Sequence, residues 1–161
     1  MHFYIGMESL LLPVQEENFF PGMKQKNFSK RNVMHSPSII FTLPGLNNSG
    51  PEHWQTHWEK RYGFTRIEQK DWDRPLCADW IRTIDETIQK YPMQQVLLVA
   101  HSLACSTVVH WAAKYGRAIR GALLVGPSDT EAPSYPPGTT GFKPMPLSRL
   151  SFPSIIIAST D

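Results

Sequence analysis

From residue 38 onward, short apolar runs alternate along the chain with amphipathic stretches. Ile39, Ile40, Phe41, Thr42 and Leu43 form a β-branched, apolar run closed by Pro44-Gly45, the pattern of a buried strand ending in a turn. Residues 53–62 read as a helix, with Trp54 and Trp58 four apart on one face. A short strand is expected over 65–68. Asp73-Arg74-Pro75 then supplies a helix-start signal. Cys77, Ile81, Ile84, Ile88 and Tyr91 recur at helical spacing until Pro92 stops them. Residues 96–100 (VLLVA) carry the strongest strand signal in the chain. They lead into a helix over 103–115, with Ala104, Val108, Trp111 and Tyr115 on one stripe. Further apolar strands are expected over 121–125 and 155–158. Apolar strands alternating with amphipathic helices predict an α/β fold: a mostly parallel sheet with helices on both faces.

Two stretches fall outside that rhythm. Residues 126–153 hold seven of the 14 prolines, which stiffen a segment while barring it from a sheet interior. This stretch reads either as a lid or pocket wall over the carboxyl ends of the strands, or as a plain surface excursion. Residues 1–35 show no sustained period and are expected to form a disordered extension ahead of the domain at 36–161. They do not make a signal peptide, because Glu8 interrupts early and the apolar run at 10–12 is short. Lys24, Lys26, Lys30 and Arg31 read as a solvated tail. Met23 and Met34 are alternative start positions.

Composition narrows the function classes. At 161 residues the chain has the length of one ordinary domain, and 41% hydrophobic against 19% charged residues is a globular balance. A net charge of +2 argues against nucleic acid as the main partner. No apolar run has the ~18 residues needed to span a bilayer. Cys77 and Cys105 stand far apart, without the CxxC or histidine spacing of a zinc site. They read as reduced thiols in a cytoplasmic protein. No metal or cofactor is expected.

The most informative segment is Val99-Ala100-His101-Ser102-Leu103-Ala104-Cys105. A strand runs into a serine and a helix starts directly after it, the setting of a nucleophile elbow. Such a turn demands small residues two before and two after the serine. Here both are alanine, so strict GxSxG is not met. The geometry would lift the Ser102 hydroxyl above the sheet and aim the Leu103 N–H at a developing oxyanion. A second donor would come from Gly45-Leu46-Asn47, by the amide of Leu46 or Asn47. On these residues alone a helix-capping serine fits equally well.

Several segments together resemble a known family. They are LPGLNNSGPEHWQTHWE at 43–59, EQKDWDRPLCADW at 68–80, VLLVAHSLACSTVVHWA at 96–112, GALLVGPSD at 121–129 and FKPMPLSRLSFPSIIIAST at 142–160. In order and spacing they resemble the small α/β-hydrolases of the YdeN-like, retinoblastoma-binding-protein-nine-like serine hydrolase family. The resemblance implies an α/β-hydrolase fold and a Ser–Asp–His triad with Ser102 as nucleophile. It also implies a small ester, thioester or amide as substrate.

The sequence departs from the family at two places. Ala104 stands where glycine is usual. The family's triad acid directly precedes a proline after the last matched strand, which by alignment would be position 162. Asp161 is thus a candidate for the acid that stands one position early, and no histidine follows it. His101 adjoins the serine on a strand and should point away from its hydroxyl. His110 lies two turns along the next helix, and His53 belongs to a structural segment. The acid and histidine are therefore expected beyond the chain end, with the fold incomplete there and Ile155, Ile156 and Ile157 left exposed. Two alternatives remain: a catalytically inactive α/β-hydrolase-like binding protein, and a nucleotide-binding domain using LPGLNNSG. The second lacks the phosphate-loop spacing. Asp71-Trp72-Asp73 reads as a loop at the pocket rim rather than a metal site.

Overall fold

The computed structural model describes residues 37–159; the expected N-terminal extension and Asp161 lie outside them. Strands β1 (Ile39–Leu43), β2 (Thr65–Arg66), β3 (Val96–His101), β4 (Gly121–Val125) and β5 (Ser154–Ile157) form one sheet in the order β2-β1-β3-β4-β5. Every neighbouring pair is parallel. Helices α1 (Trp54–Tyr62), α2 (Cys77–Ile88) and α3 (Leu103–Tyr115) make the crossovers. Parallel neighbours cannot be joined by a hairpin, so each connection has to cross a sheet face.

Alternation along the strands shows which face each helix covers. Phe41, Leu43, Leu98, Ala100, Ala122 and Leu124 join the core with α2 and α3. The opposite face holds Thr42, whose hydroxyl donates to Glu59 of α1, and His101, whose ring meets His53 and Trp54. The expected architecture, with helices on both faces, is therefore present. Beyond α1 the second face is thinly covered. On the edge strand β5, Ile155, Ile156 and Ile157 are 55%, 62% and 40% exposed.

Boundaries differ from expectation where local signals compete with tertiary ones. The strand expected over 65–68 pairs only at Thr65–Arg66. Ile67 then turns its side chain into the core, while its N–H donates to the Thr42 carbonyl. The α2 helix starts at Cys77 rather than at Asp73, with Leu76 as a cap that makes no side-chain bond. Its first turn is held instead by the paired bonds of Cys77 N–H to Thr140 O and Thr140 N–H to Pro75 O, both 2.9 Å. The helix ends at Ile88, so Tyr91 is off its stripe, and its ring packs edge-on against Phe41.

The proline-rich segment is tethered along its length. Phe142 and Phe152 are core residues. The Phe142 carbonyl is bonded by His110 Nε2 and by the buried Thr130 hydroxyl, each at 3.1 Å. The sequence left a choice between a lid or pocket wall and a surface excursion. The segment is an irregular wall fastened to α2 and α3.

Candidate active site

Ser102 sits between β3 and α3 with φ 54° and ψ −123°, a backbone conformation that costs a non-glycine residue roughly 1–3 kcal/mol. Its N–H donates to the Val125 carbonyl at 3.0 Å, and its carbonyl accepts from Cys105 N–H at 3.0 Å. The turn is thus stitched to the end of β4 on one side and to the first turn of α3 on the other. Ala100 and Ala104, at the two small-residue positions, are 0% and 2% exposed. A methyl group is accommodated at both.

The loop after β1 presses directly on this turn. A Cβ at Gly45 would stand 2.9 Å from the Ser102 Cβ, 2.9 Å from the His101 carbonyl oxygen and 3.2 Å from the Leu103 nitrogen. Only a residue without a side chain permits that approach. Beyond it, Asn47 and Asn48 both take positive φ (63° and 65°), which asparagine tolerates better than most residues. Among the described residues, neither the Leu46 nor the Leu103 amide donates to any acceptor. Asn47 departs from expectation as an oxyanion donor. Its N–H is committed to the Trp72 carbonyl at 2.9 Å, because the left-handed turn carries it towards the loop at 71–73.

That loop braces the site through the Trp72 carbonyl. The Asp71 carboxylate accepts from the N–H groups of Asp73 and Arg74, at 3.0 and 2.8 Å. The Arg74 bond and then the Asp73 bond hold it below the usual carboxylate range. Gln55, fully buried on α1, donates from Nε2 to the Leu43 and Val99 carbonyls at 3.1 and 3.0 Å, and accepts from the Ser49 hydroxyl at 2.8 Å. Arg66 spreads its guanidinium over Glu59, Thr56, Asn48 and the Ser49 carbonyl. Together these two side chains lock the loop after β1 to α1 and to the carboxyl ends of β1 and β3.

The Ser102 hydroxyl lies 2.8 Å from the Ser128 hydroxyl. Ser128 follows β4, and its carbonyl accepts from the buried Ser106 hydroxyl of α3 at 3.5 Å. Burial pushes the phenol of Tyr135, further along the same segment, above the ordinary tyrosine value. Neither Ser128 nor Tyr135 was singled out by sequence, since both lie in the aperiodic segment. The signal available for Ser128 was positional: it is a polar residue just past the carboxyl end of the strand beside β3, where open α/β sheets bind ligands.

Among the described residues the histidines lie elsewhere, His101 as the strand alternation predicts. The His101 ring packs 4.8 Å from His53 and 5.9 Å from Trp54, measured between centroids. Burial lowers the pKa of both His101 and His53. His53 caps α1, its Nδ1 accepting from the Gln55 N–H at 3.2 Å. A hollow of about 410 Å³ between α2 and α3, lined by Leu76, Cys77, Ile81, His110 and Lys114 among others, contains none of the groups around Ser102.

Ser102 is thus a strained serine at a strand–helix junction, with the Leu103 amide next to it and the Leu46 amide following Gly45. The sequence profile described as "Serine hydrolase" matches residues 40–161. The chain belongs to the serine hydrolase family. A solved structure described as a YdeN-like hydrolase, from Pectobacterium atrosepticum, is similar to it at 27% identity and a TM-score of 0.61. The similarity covers 74% of this chain and 62% of that one, so the chain spans less than two thirds of the length of that solved relative. No curated protein matches it. No helix among the described residues is long and apolar enough to cross a membrane.

Proposed function

We propose that Ser102 is the nucleophile of an acyl-transfer site that hydrolyses a small ester, thioester or amide. The observation that carries this reading is the Ser102 backbone, held at positive φ by the close approach of Gly45. Ser102 Oγ attacks the substrate carbonyl carbon and loses its proton to a general base. The resulting oxyanion is bound by the Leu103 and Leu46 N–H groups. The leaving alcohol, thiol or amine departs with a proton, and water then cleaves the acyl-enzyme. The base and its acid partner come from outside residues 37–159, since Ser128 is the side chain that meets the Ser102 hydroxyl within them. No metal or cofactor is needed for these steps.

The placement of the described histidines away from Ser102 favours a second reading, a binding protein on a hydrolase fold. Labelling by a fluorophosphonate probe separates the two. Nucleophilic chemistry predicts covalent modification that disappears in Ser102→Ala. Labelling that is absent, or that survives the substitution, would establish the binding protein or move the nucleophile elsewhere.

A further inference from the structure

We propose that His53 is a positioning residue for the Ser102 site: its neutral ring caps α1 and, through Gln55, holds the loop that carries the Leu46 amide. Its effect on the reaction rests on Ser102 being the nucleophile proposed above; its hold on the loop does not.

The direction of the cap bond is fixed by its donor. A backbone N–H can only donate, so His53 Nδ1, 3.2 Å from the Gln55 nitrogen, offers a lone pair. His53 therefore caps α1 only as the neutral ring with its proton on Nε2. The usual caps, serine, threonine, aspartate and asparagine, accept throughout the neutral range. Histidine makes the cap depend on pH. A proton on Nδ1 removes the acceptor, strands the Gln55 N–H and sets a positive charge at the positive end of the helix.

The surroundings keep the ring neutral. The groups facing it are His101 from β3, Arg66 from β2, and Glu59 and His57 from α1. Of these only Glu59 favours a charge on His53, and its carboxylate is bound by Arg66 at 2.8 Å. Glu52, the preceding residue, reaches His57 instead, at 3.7 Å. Burial, then His101, lowers the pKa of His53.

The capped turn grips the loop after β1 at both ends. Gln55 Nε2 donates to the Leu43 carbonyl at the start of the loop and to the Val99 carbonyl just before the Ser102 turn. Its Oε1 accepts from the Ser49 hydroxyl at the other end, and Thr56 Oγ1 donates to the Ser49 carbonyl at 3.1 Å. Between them the Gly45 carbonyl accepts from the Asn48 N–H at 3.1 Å, closing a turn around Leu46 and Asn47. Loosening the first turn of α1 thus releases the loop from the Ser102 turn.

The test compares His53→Ala, which has no cap at any pH, with His53→Ser, which has one throughout. Amide hydrogen exchange between about pH 4.5 and 8 reads Gln55, Asn47 and Asn48, each corrected for its intrinsic rate at that pH. In the wild type, protection of all three should fall roughly fivefold on acidification below the ordinary histidine value of about 6.5. His53→Ala should show the lowered value throughout, and His53→Ser the high one. His101→Phe should keep the fall, which assigns it to His53. Amides of β4 should stay protected in every variant, which separates a loosened loop from global unfolding. At pH 8, fluorophosphonate labelling should be slower in His53→Ala than in His53→Ser or the wild type. Protection that ignores pH in the wild type, or that His53→Ser fails to restore, overturns the proposal. So do equal labelling rates in the Ala and Ser variants. A chain that takes no label at all loses the hydrolase reading, while exchange still decides whether His53 holds the loop.

Discussion

Replacing Gly45 by alanine inserts one methyl group at the point where the loop after β1 meets the Ser102 turn. The methyl carbon would lie 2.9 Å from both the His101 carbonyl oxygen and the Ser102 Cβ, and 3.2 Å from the Leu103 nitrogen. Two of these three neighbours are backbone atoms in a turn tied on both sides, so neither yields by changing rotamer. Relief requires the loop to move by several tenths of an ångström, carrying the Leu46 amide with it. Overpacking of this kind costs about 2 kcal/mol, on the order of 5 °C in Tm for a chain of this size. Loss of one oxyanion donor costs about a hundredfold in reaction rate. Gly50→Ala is the matched control, because a Cβ there meets nothing within 4 Å. Thermal unfolding and the rate of fluorophosphonate labelling would be measured on both variants. If Gly45→Ala keeps the melting temperature and labelling rate of Gly50→Ala, the loop does not hold the turn as described.

Three further outcomes are expected. Gln55→Leu strips the Leu43 and Val99 carbonyls and the Ser49 hydroxyl of a buried partner, and should cost about 3 kcal/mol in urea unfolding. Arg66→Lys keeps the charge but cannot reach Glu59, Thr56 and Asn48 at once; about 1–2 kcal/mol should be lost, with no recovery at low salt. Burial lowers the pKa of His53 and His101, so the unfolded chain binds protons that the folded one refuses. Stability should be fully present above the ordinary histidine value of about 6.5 and decline as pH falls below it. His101→Phe should flatten part of that decline, measured by Tm across pH 5–8.

Periodicity revealed the sheet and its helices because each element buries one side. Thus 121–125 and 103–115 coincide with β4 and α3. The strand–serine–helix junction was legible, but its residues fitted a helix-capping serine equally well; the structure decides, since the Ser102 side chain makes no capping bond. The partners of that turn were not legible. Ser128 reaches Ser102 across 26 positions, from a segment whose fold is set by scattered anchors such as Phe142 and Thr130. Asn47 looked like a donor because it neighbours Leu46. Only its left-handed backbone reveals that its amide is spent on Trp72. The start of α2 was misplaced for a similar reason, since Thr140 fixes it from outside the local sequence.

The all-parallel order β2-β1-β3-β4-β5 also governs when the site comes into being. Gly45, Ser102 and Ser128 stand at the ends of three adjacent strands, and no two of those strands are joined by a tight turn. Each pairing must close a long crossover before it gains a hydrogen bond, which makes parallel sheets slow to form. A chain with β3 and β4 paired but β1 absent has a serine without the Gly45 loop; one lacking β4 has a serine without Ser128. Refolding should therefore restore secondary structure well before it restores a reactive serine. The lag between the two signals would be a clock for the last crossover to close.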